Sequence, residues 1–527
     1  MVEPTHEKRV KSIAIIGGGP SGIATLYDLT RALKNGTSLY GSKYIRSYEQ
    51  RKEVAFDKIV LFERNQFTGG VWCRKTRGNF NSDPAVPELS LQKELTNPDN
   101  IFVKAPISRE LKKKLSSSSF NHPIEVKKQG GEPEDLYQWK SSAAYEKLFT
   151  NVPNKYMSFS FDPLSSKQLV DLELRYKKIA GFESADDVGN YLDDVLRNND
   201  LTRYVRRASN VERVTKLPTG KWRLFIRQSI KKTDNSVDLW YQEDFDAVVI
   251  ANGKTVPIVP SFKGFNEFYE KTKEKIWITL AKSLKDPTKL KKAKKILIVG
   301  SSVSAVDLIQ YAFPRNLDKP SVFISRRSEN HAGRDWADFC THTRGITSKP
   351  EIDHFNAAEE SIVFKDGTVE KGFDTVIICT GYHMYYPFLE SDYLKSHSNA
   401  LKFYDYTFSI DDPTLALVGN TYAAFIFNRV EAQAAALAGV WSGQKQLPIT
   451  SVQLDWYNTE FPKPLRTYSV AEHFIRPLER YFLKGRKNPL DVEGKRDHVA
   501  DLGLSRSNLQ IIFNKIRRGE LKTEELI

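Results

Sequence analysis

Cysteine is scarce: Cys73, Cys340 and Cys379 are the only three in 527 residues, and no two stand at a metal-clip or redox-pair spacing. A disulfide scaffold, a zinc ribbon and a Cys-x-x-Cys electron relay are thereby excluded. Long apolar runs are missing as well, and nothing approaches the roughly 18 residues a membrane helix needs. The first ten residues mix Glu3, His6, Glu7, Lys8 and Arg9, which leaves no secretory apolar region, so a cytoplasmic address is expected. None of the nine histidines has a spacing such as HExxH, and no metal site is expected.

The chain does have length, ordinary hydrophobic content and positive charge. With 40% hydrophobic and 27% charged residues it reads as globular, and its length exceeds one domain. Lys and Arg number 79 against 65 Asp and Glu, a formal charge of +14. Ten of the lysines fall between Lys271 and Lys295, opposed by Glu274 and Asp286. That stretch lacks interleaved aromatics or a base-reading motif, so a solvated face is expected and no nucleic-acid partner.

Two segments organise the rest. Ser12 to Ile16 reads as a strand, Gly17-Gly-Gly-Pro-Ser-Gly22 as a tight turn, and Ile23 to Leu33 as a helix. A second apolar run, Ile59 to Phe62, ends in Glu63. Lys295 to Val299, Gly300-Ser-Ser-Val-Ser-Ala305 and an apolar helical pattern from Val306 repeat the unit later. The fold class expected is α/β, with two Rossmann-like dinucleotide-binding domains, the NADP domain inserted into the FAD domain. The expected division is 1–258 and 374–445 for the FAD-binding domain, 259–373 for the NADP-binding domain, and 446–527 for a helical C-terminal tail. Residues 74–140 show no sustained periodicity and read as an inserted loop or lid.

The chemistry follows from the turns. Gly17 permits the tight turn, Gly19 lets backbone approach a pyrophosphate, and Gly22 lets the helix pack close, with the helix N-terminus facing the anion. Glu63 suits ribose hydroxyls. In the second turn Gly300 is kept, whereas Ser302 and Ala305 replace the later glycines. Arg326 and Arg327 end the next apolar run, where an acid would select NAD, and their guanidinium forks suit the extra phosphate of NADP.

Taken together, Gly17 to Gly22, Phe62-Glu63-Arg64, Thr68-Gly69-Gly70-Val71-Trp72, Tyr145 to Met157, Ala251-Asn-Gly253, Gly300 to Ser304, Asp366-Gly367, Cys379-Thr-Gly-Tyr382, Pro413 to Asn420 and Glu431-Ala-Gln433 resemble the flavin-containing monooxygenases, the fungal members most nearly. The resemblance runs over roughly residues 11–448. It implies FAD and NADPH as cofactors, with dioxygen and a small-molecule substrate. In that reaction a flavin hydroperoxide forms and a soft nucleophile, sulfur or nitrogen, takes one oxygen. It also implies that Asn151 stands beside the reactive edge of the flavin as the catalytic residue. Gly70, Trp72, Ser304, Thr380, Gly381 and Gln433 join the cofactor-binding set. Two departures stand out: no histidine occurs where the family has one, around Ile276-Trp-Ile-Thr279, and Asn252 replaces a common threonine.

Other readings of the same residues are an uncoupled NADPH oxidase that releases hydrogen peroxide, an amine N-hydroxylase or Baeyer-Villiger-type oxygenase, and a nucleotide-binding regulator without turnover. Oligomeric state and substrate identity are not legible.

Overall fold

The computed structural model describes residues 10–43, 52–73, 83–90, 94–127, 136–164, 181–231, 236–328, 335–390, 393–394, 401–419, 425–461 and 471–526. Two parallel sheets dominate. In the first, Ser12–Ile16 lies between Lys58–Phe62 and Ala247–Ile250, and Leu415–Leu417 extends the sheet beyond Ala247–Ile250. In the second, Ile296–Val299 lies between Val322–Ser325 and Thr375–Ile378, with Ile346–Lys349 and Trp277–Leu280 at the edges. The central strands Ile296–Val299 and Ala247–Ile250 are buried at every position. Burial on both faces is why these segments read as unbroken apolar runs rather than as alternating ones.

Ser12–Ile16 feeds the helix Pro20–Arg31 through a glycine turn, and Ile296–Val299 likewise feeds Val303–Ala312. All five strands of the second sheet fall in sequence between Ala247–Ile250 and Leu415–Leu417 of the first. The second nucleotide-type unit is therefore inserted into the first, as expected. The outgoing and returning connections run side by side. Pro257 bridges Tyr382 in antiparallel fashion, the Ile258 N–H donates to Gly381 O at 2.9 Å, and the Thr380 hydroxyl donates to Ile258 O at 2.6 Å.

Two expectations about the layout need correction. The strand Thr375–Ile378 pairs only with Ile296–Val299 and Trp277–Leu280, so the division placed between 373 and 374 falls later, near the Pro257–Tyr382 crossing. A short buried strand carries no mark of which sheet it joins, because that depends on pairing with distant segments. Residues 74–140 are not an unstructured loop. They contain the helices Val86–Ser90, Pro98–Ile101 and Arg109–Leu115 and the strand Ile124–Lys127, which pairs with Ser236–Phe245 in a four-stranded antiparallel sheet. Helices of four to seven residues are too short to show a 3.6-residue period. Val86, Leu89, Ile101 and Phe102 pack into the same core as Leu297, Val299 and Val376, so the segment is a cover on the second sheet. Residues 74–82, 91–93 and 128–135 of it lie outside the described residues.

Seven of the ten lysines between Lys271 and Lys295 are exposed, but Lys282 is buried, with its ammonium 3.4 Å from Asp83 and donating to Ser141 O. Burial lowers its pKa to about 8, against the pull of Asp83. In the tail, expected to be helical, Ala471–Ile475 is a π turn and Arg476–Tyr481 a 3-10 helix. Pro477 lacks an N–H to continue an α-helix there. The C-terminal α-helix is His498–Arg517.

Candidate functional site

The first glycine turn is set by packing on one side and left open on the other. Gly17 has φ 116°, and a Cβ there would lie 2.4 Å from Ala251 O. A Cβ on Gly19 would meet only Gly70, with its nearest atom at 3.5 Å, which is ordinary contact. Gly19 is also the N-cap of Pro20–Arg31, with no side-chain cap and no acid in the first turn. Open space above an uncapped helix N-terminus is the cradle that a pyrophosphate needs, so these residues fit FAD. Glu63 is buried, and its carboxylate accepts from Gly18 N and Asn65 N, both at 2.8 Å. Burial pushes that carboxyl up while the two backbone bonds pull it back. Glu63 therefore holds the turn itself, and a ribose hydroxyl would use the lone pairs left over.

The second turn repeats the geometry. Gly300 has φ 111°, and its Cβ would lie 2.5 Å from Cys379 O, as Gly17 meets Ala251. Ser302 is the N-cap of Val303–Ala312, and that helix also has no acid in its first turn. Ser304, Thr380 and Gly381 line one cleft with Lys282 and Tyr382. Arg326 follows the strand Val322–Ser325, and its guanidinium is 3.5 Å from Asp338; Arg327 is exposed. These residues fit an anionic dinucleotide, the arginines lying at the end where a ribose phosphate would sit.

Asn151 lines a different cleft, between the loop that carries it, the helix Val303–Ala312 and the C-terminal helix. Asp307, one turn into Val303–Ala312, is the acid of that cleft and is hydrogen-bonded by the Tyr145 hydroxyl. Burial pushes Asp307 up to about 7 from 3.8. Between those values the folded chain holds more of this proton than the unfolded chain. Its contribution to stability is therefore present at low pH and is lost as pH rises through about 7. Asp307→Asn should make the decline of unfolding midpoint between about pH 4 and pH 7 shallower; an unchanged slope rejects this assignment.

Other expected residues lie elsewhere. Gln433 is fully buried, donates to Tyr406 O and Thr407 Oγ1 at 3.0 Å, and accepts from Gly419 N at 3.0 Å. Its polar atoms serve the chain, and it reaches the first turn only through Gly419, which abuts Ser21. Trp72 ends the one-turn helix Gly70–Trp72 and packs against the first core. Asn252 donates to Tyr385 O at 3.0 Å, and Trp277, where the histidine was expected, opens an edge strand with Lys289 over its ring. Sequence reasoning missed Asp307. Its signal was a lone acid in the apolar helical pattern that follows the second turn. Among the described residues no His, Cys, Asp or Glu cluster could hold a metal ion, and no helix is long and apolar enough to cross a membrane.

Two parallel sheets, each with a glycine turn that leads into a helix and one inserted into the other, define a chain with two dinucleotide-type units. Residues 340–472 match the family described as FMO-like, flavin-binding monooxygenase-like. The chain is 24% identical over 484 residues to the flavin-containing monooxygenase iboF of Amanita muscaria, covering 83% of this chain and 80% of that one. It is 26% identical over 449 residues to the trimethylamine monooxygenase of Roseovarius sp. strain 217, covering 83% and 76%. The fold is shared with the S-allyl-L-cysteine S-oxygenase from Allium sativum, at TM-score 0.55 and 21% identity, covering 97% and 93%. The chain is related to the flavin-containing monooxygenases, fungal ones among them, and these enzymes are oxidoreductases.

Proposed function

We propose that the protein is an FAD-containing, NADPH-dependent monooxygenase that oxygenates a soft nucleophile, sulfur or nitrogen, of a small molecule. The observation that carries this reading is the paired turns: two helix ends, each with a glycine held against the adjoining strand exit, and the open space left at Gly19. Gly17, Gly19, Gly22, Glu63 and Gly70 would hold FAD. Gly300, Ser302 and Ser304, with Thr380 and Gly381 at the linkers, would hold NADPH, and Arg326 and Arg327 would take its ribose phosphate. The bound flavin, reduced by the nicotinamide, supplies the redox chemistry that activates dioxygen.

The chain's own residues position and shield. Asn151 offers an amide, a neutral donor and acceptor, at a narrow cleft flanked by Phe149 and Val306. An uncharged donor can hold a polar intermediate without delivering the proton that would release peroxide, and the apolar neighbours keep water out. The relatives named as a trimethylamine monooxygenase and an S-allyl-L-cysteine S-oxygenase support this substrate class.

The reading is tested by purifying the flavin-loaded protein and adding NADPH without oxygen. The flavin absorbance should bleach, and readmitted oxygen should then yield oxygenated amine or sulfide in proportion to the NADPH consumed; stoichiometric peroxide instead would favour the oxidase. Asn151→Ala should keep flavin and its reduction but raise peroxide per NADPH by about tenfold or more, in line with removing one preorganised polar contact; unchanged coupling removes Asn151 from the mechanism. Replacing Arg326 and Arg327 together by Ala should lower the NADPH-over-NADH preference by about tenfold or more, read from bleaching rates, since charge-assisted bonds to phosphate are lost. An unaltered ratio rejects that assignment. We place the protein in the cytoplasm, which imaging of a fluorescent fusion would check.

A further inference from the structure

The wall of the Asn151 cleft comes from an unexpected part of the chain. Asn151, Asp307 and Gln310 line one side, and Leu509, Gln510 and Phe513 of the C-terminal helix line the other. That helix is pinned from both flanks. Asp501 pairs with Lys155 at 2.7 Å and accepts from the Tyr156 hydroxyl, and the Ser505 hydroxyl donates to Asn151 O at 3.4 Å. On the other flank, the Phe513 ring meets Phe313 and Phe339, at 6.2 and 6.4 Å between centroids. The helix lies beyond residues 340–472, which match the monooxygenase family.

Two observations describe the occupant. Leu509 and Phe513 present apolar surface, whereas Gln310 Oε1 is buried in the opposite wall with no hydrogen-bond partner among the described residues. An acceptor buried without a donor is unfavourable, so an incoming donor is favoured there. The cleft as it stands has room for about one water molecule, so a larger guest is admitted only when the helical wall shifts.

We propose that the C-terminal helix is the substrate-selecting wall of this cleft, through Leu509 and Phe513, and that the cleft takes a small molecule with an apolar body and an N–H donor that meets Gln310 Oε1. This rests on the monooxygenase reading above for the reaction, but the binding it predicts does not.

The test uses the full-length, flavin-loaded protein with three probes: benzylamine, methylamine and benzyl methyl sulfide. Binding is measured calorimetrically on the oxidised protein without NADPH, and KM by product formation with it. Phe513→Ala should weaken benzylamine by about tenfold or more and methylamine by less than about twofold, the scale of lost apolar contact in a pocket, with anaerobic bleaching unchanged. Gln310→Met should weaken benzylamine by about tenfold and leave benzyl methyl sulfide within about twofold, since only the amine loses its acceptor. Phe513→Leu, which keeps most of the volume, should fall between wild type and Phe513→Ala, and serves if the alanine variant does not fold. Equal effects on benzylamine and methylamine, or no effect on benzylamine binding, would overturn the proposal. If NADPH fails to bleach the wild-type flavin, the monooxygenase reading fails while the binding measurements still decide the wall.

Discussion

Gly22→Ala is expected to purify without flavin colour and to regain none when FAD is supplied. The added Cβ would lie 1.9 Å from Gly17 O and 3.2 Å from the Leu61 side chain. The first contact is with backbone, so no rotamer relieves it. Either the helix Pro20–Arg31 retreats from the strand or the turn opens, and both moves take the helix end away from the pyrophosphate. Gly19→Ala is the informative partner. Its Cβ would meet only Gly70 at 3.5 Å, so the fold should tolerate it, yet it projects where a bound cofactor must approach. We expect Gly19→Ala to unfold at nearly the wild-type temperature while binding FAD at least about tenfold more weakly, the loss of one close polar approach. Equal FAD affinity for both variants and wild type, measured by flavin fluorescence quenching, would show that the turn holds no dinucleotide.

Arg486→Met should be the most destabilising single change outside the turns, by about 3–5 kcal/mol. The guanidinium is 1% exposed and bonds Asp28 at 2.6 and 3.2 Å and Glu431 at 2.9 Å, both carboxylates equally hidden. Removing it leaves two buried acids facing each other with no cation between them. Burial already pushes Asp28 up to about 6 despite Arg486, so the variant should take up a proton there and lose stability as pH rises. The triple change with Asp28→Asn and Glu431→Gln should recover much of the loss, because the cost lies in uncompensated charge rather than in a lost bond. Thermal unfolding at several pH values reads both effects; a loss under about 1 kcal/mol would contradict a buried, satisfied triad. The consequence for the site is indirect. Glu431 also accepts from Ser160 N at 2.8 Å, and Lys495 donates to Ser158 O at 2.8 Å, so the tail helps to fix the chain that follows Asn151.

The glycine turns were legible because their physics is local. A buried parallel strand must be apolar at its buried positions, a tight exit must be glycine, and a following helix shows its period within a dozen residues. Ser12–Ile16 with Pro20–Arg31, and Ile296–Val299 with Val303–Ala312, satisfy all three and needed no knowledge of neighbours. Glu63 was legible as a functional acid, but not as one whose two oxygens hold Gly18 and Asn65. Gln433 stood out in the resemblance, and only the folded chain shows it tied to Tyr406, Thr407 and Gly419.

From the sequence alone came the fold class, the two nucleotide turns and Asn151 as a candidate. The tertiary structure decided that Thr375–Ile378 joins the second sheet, that residues 74–140 cover that sheet, and that the C-terminal helix walls the Asn151 cleft. The reason is reach: Ser505 meets Asn151 across 354 positions, and periodicity tells which face of a helix is apolar but not which distant segment will cover it.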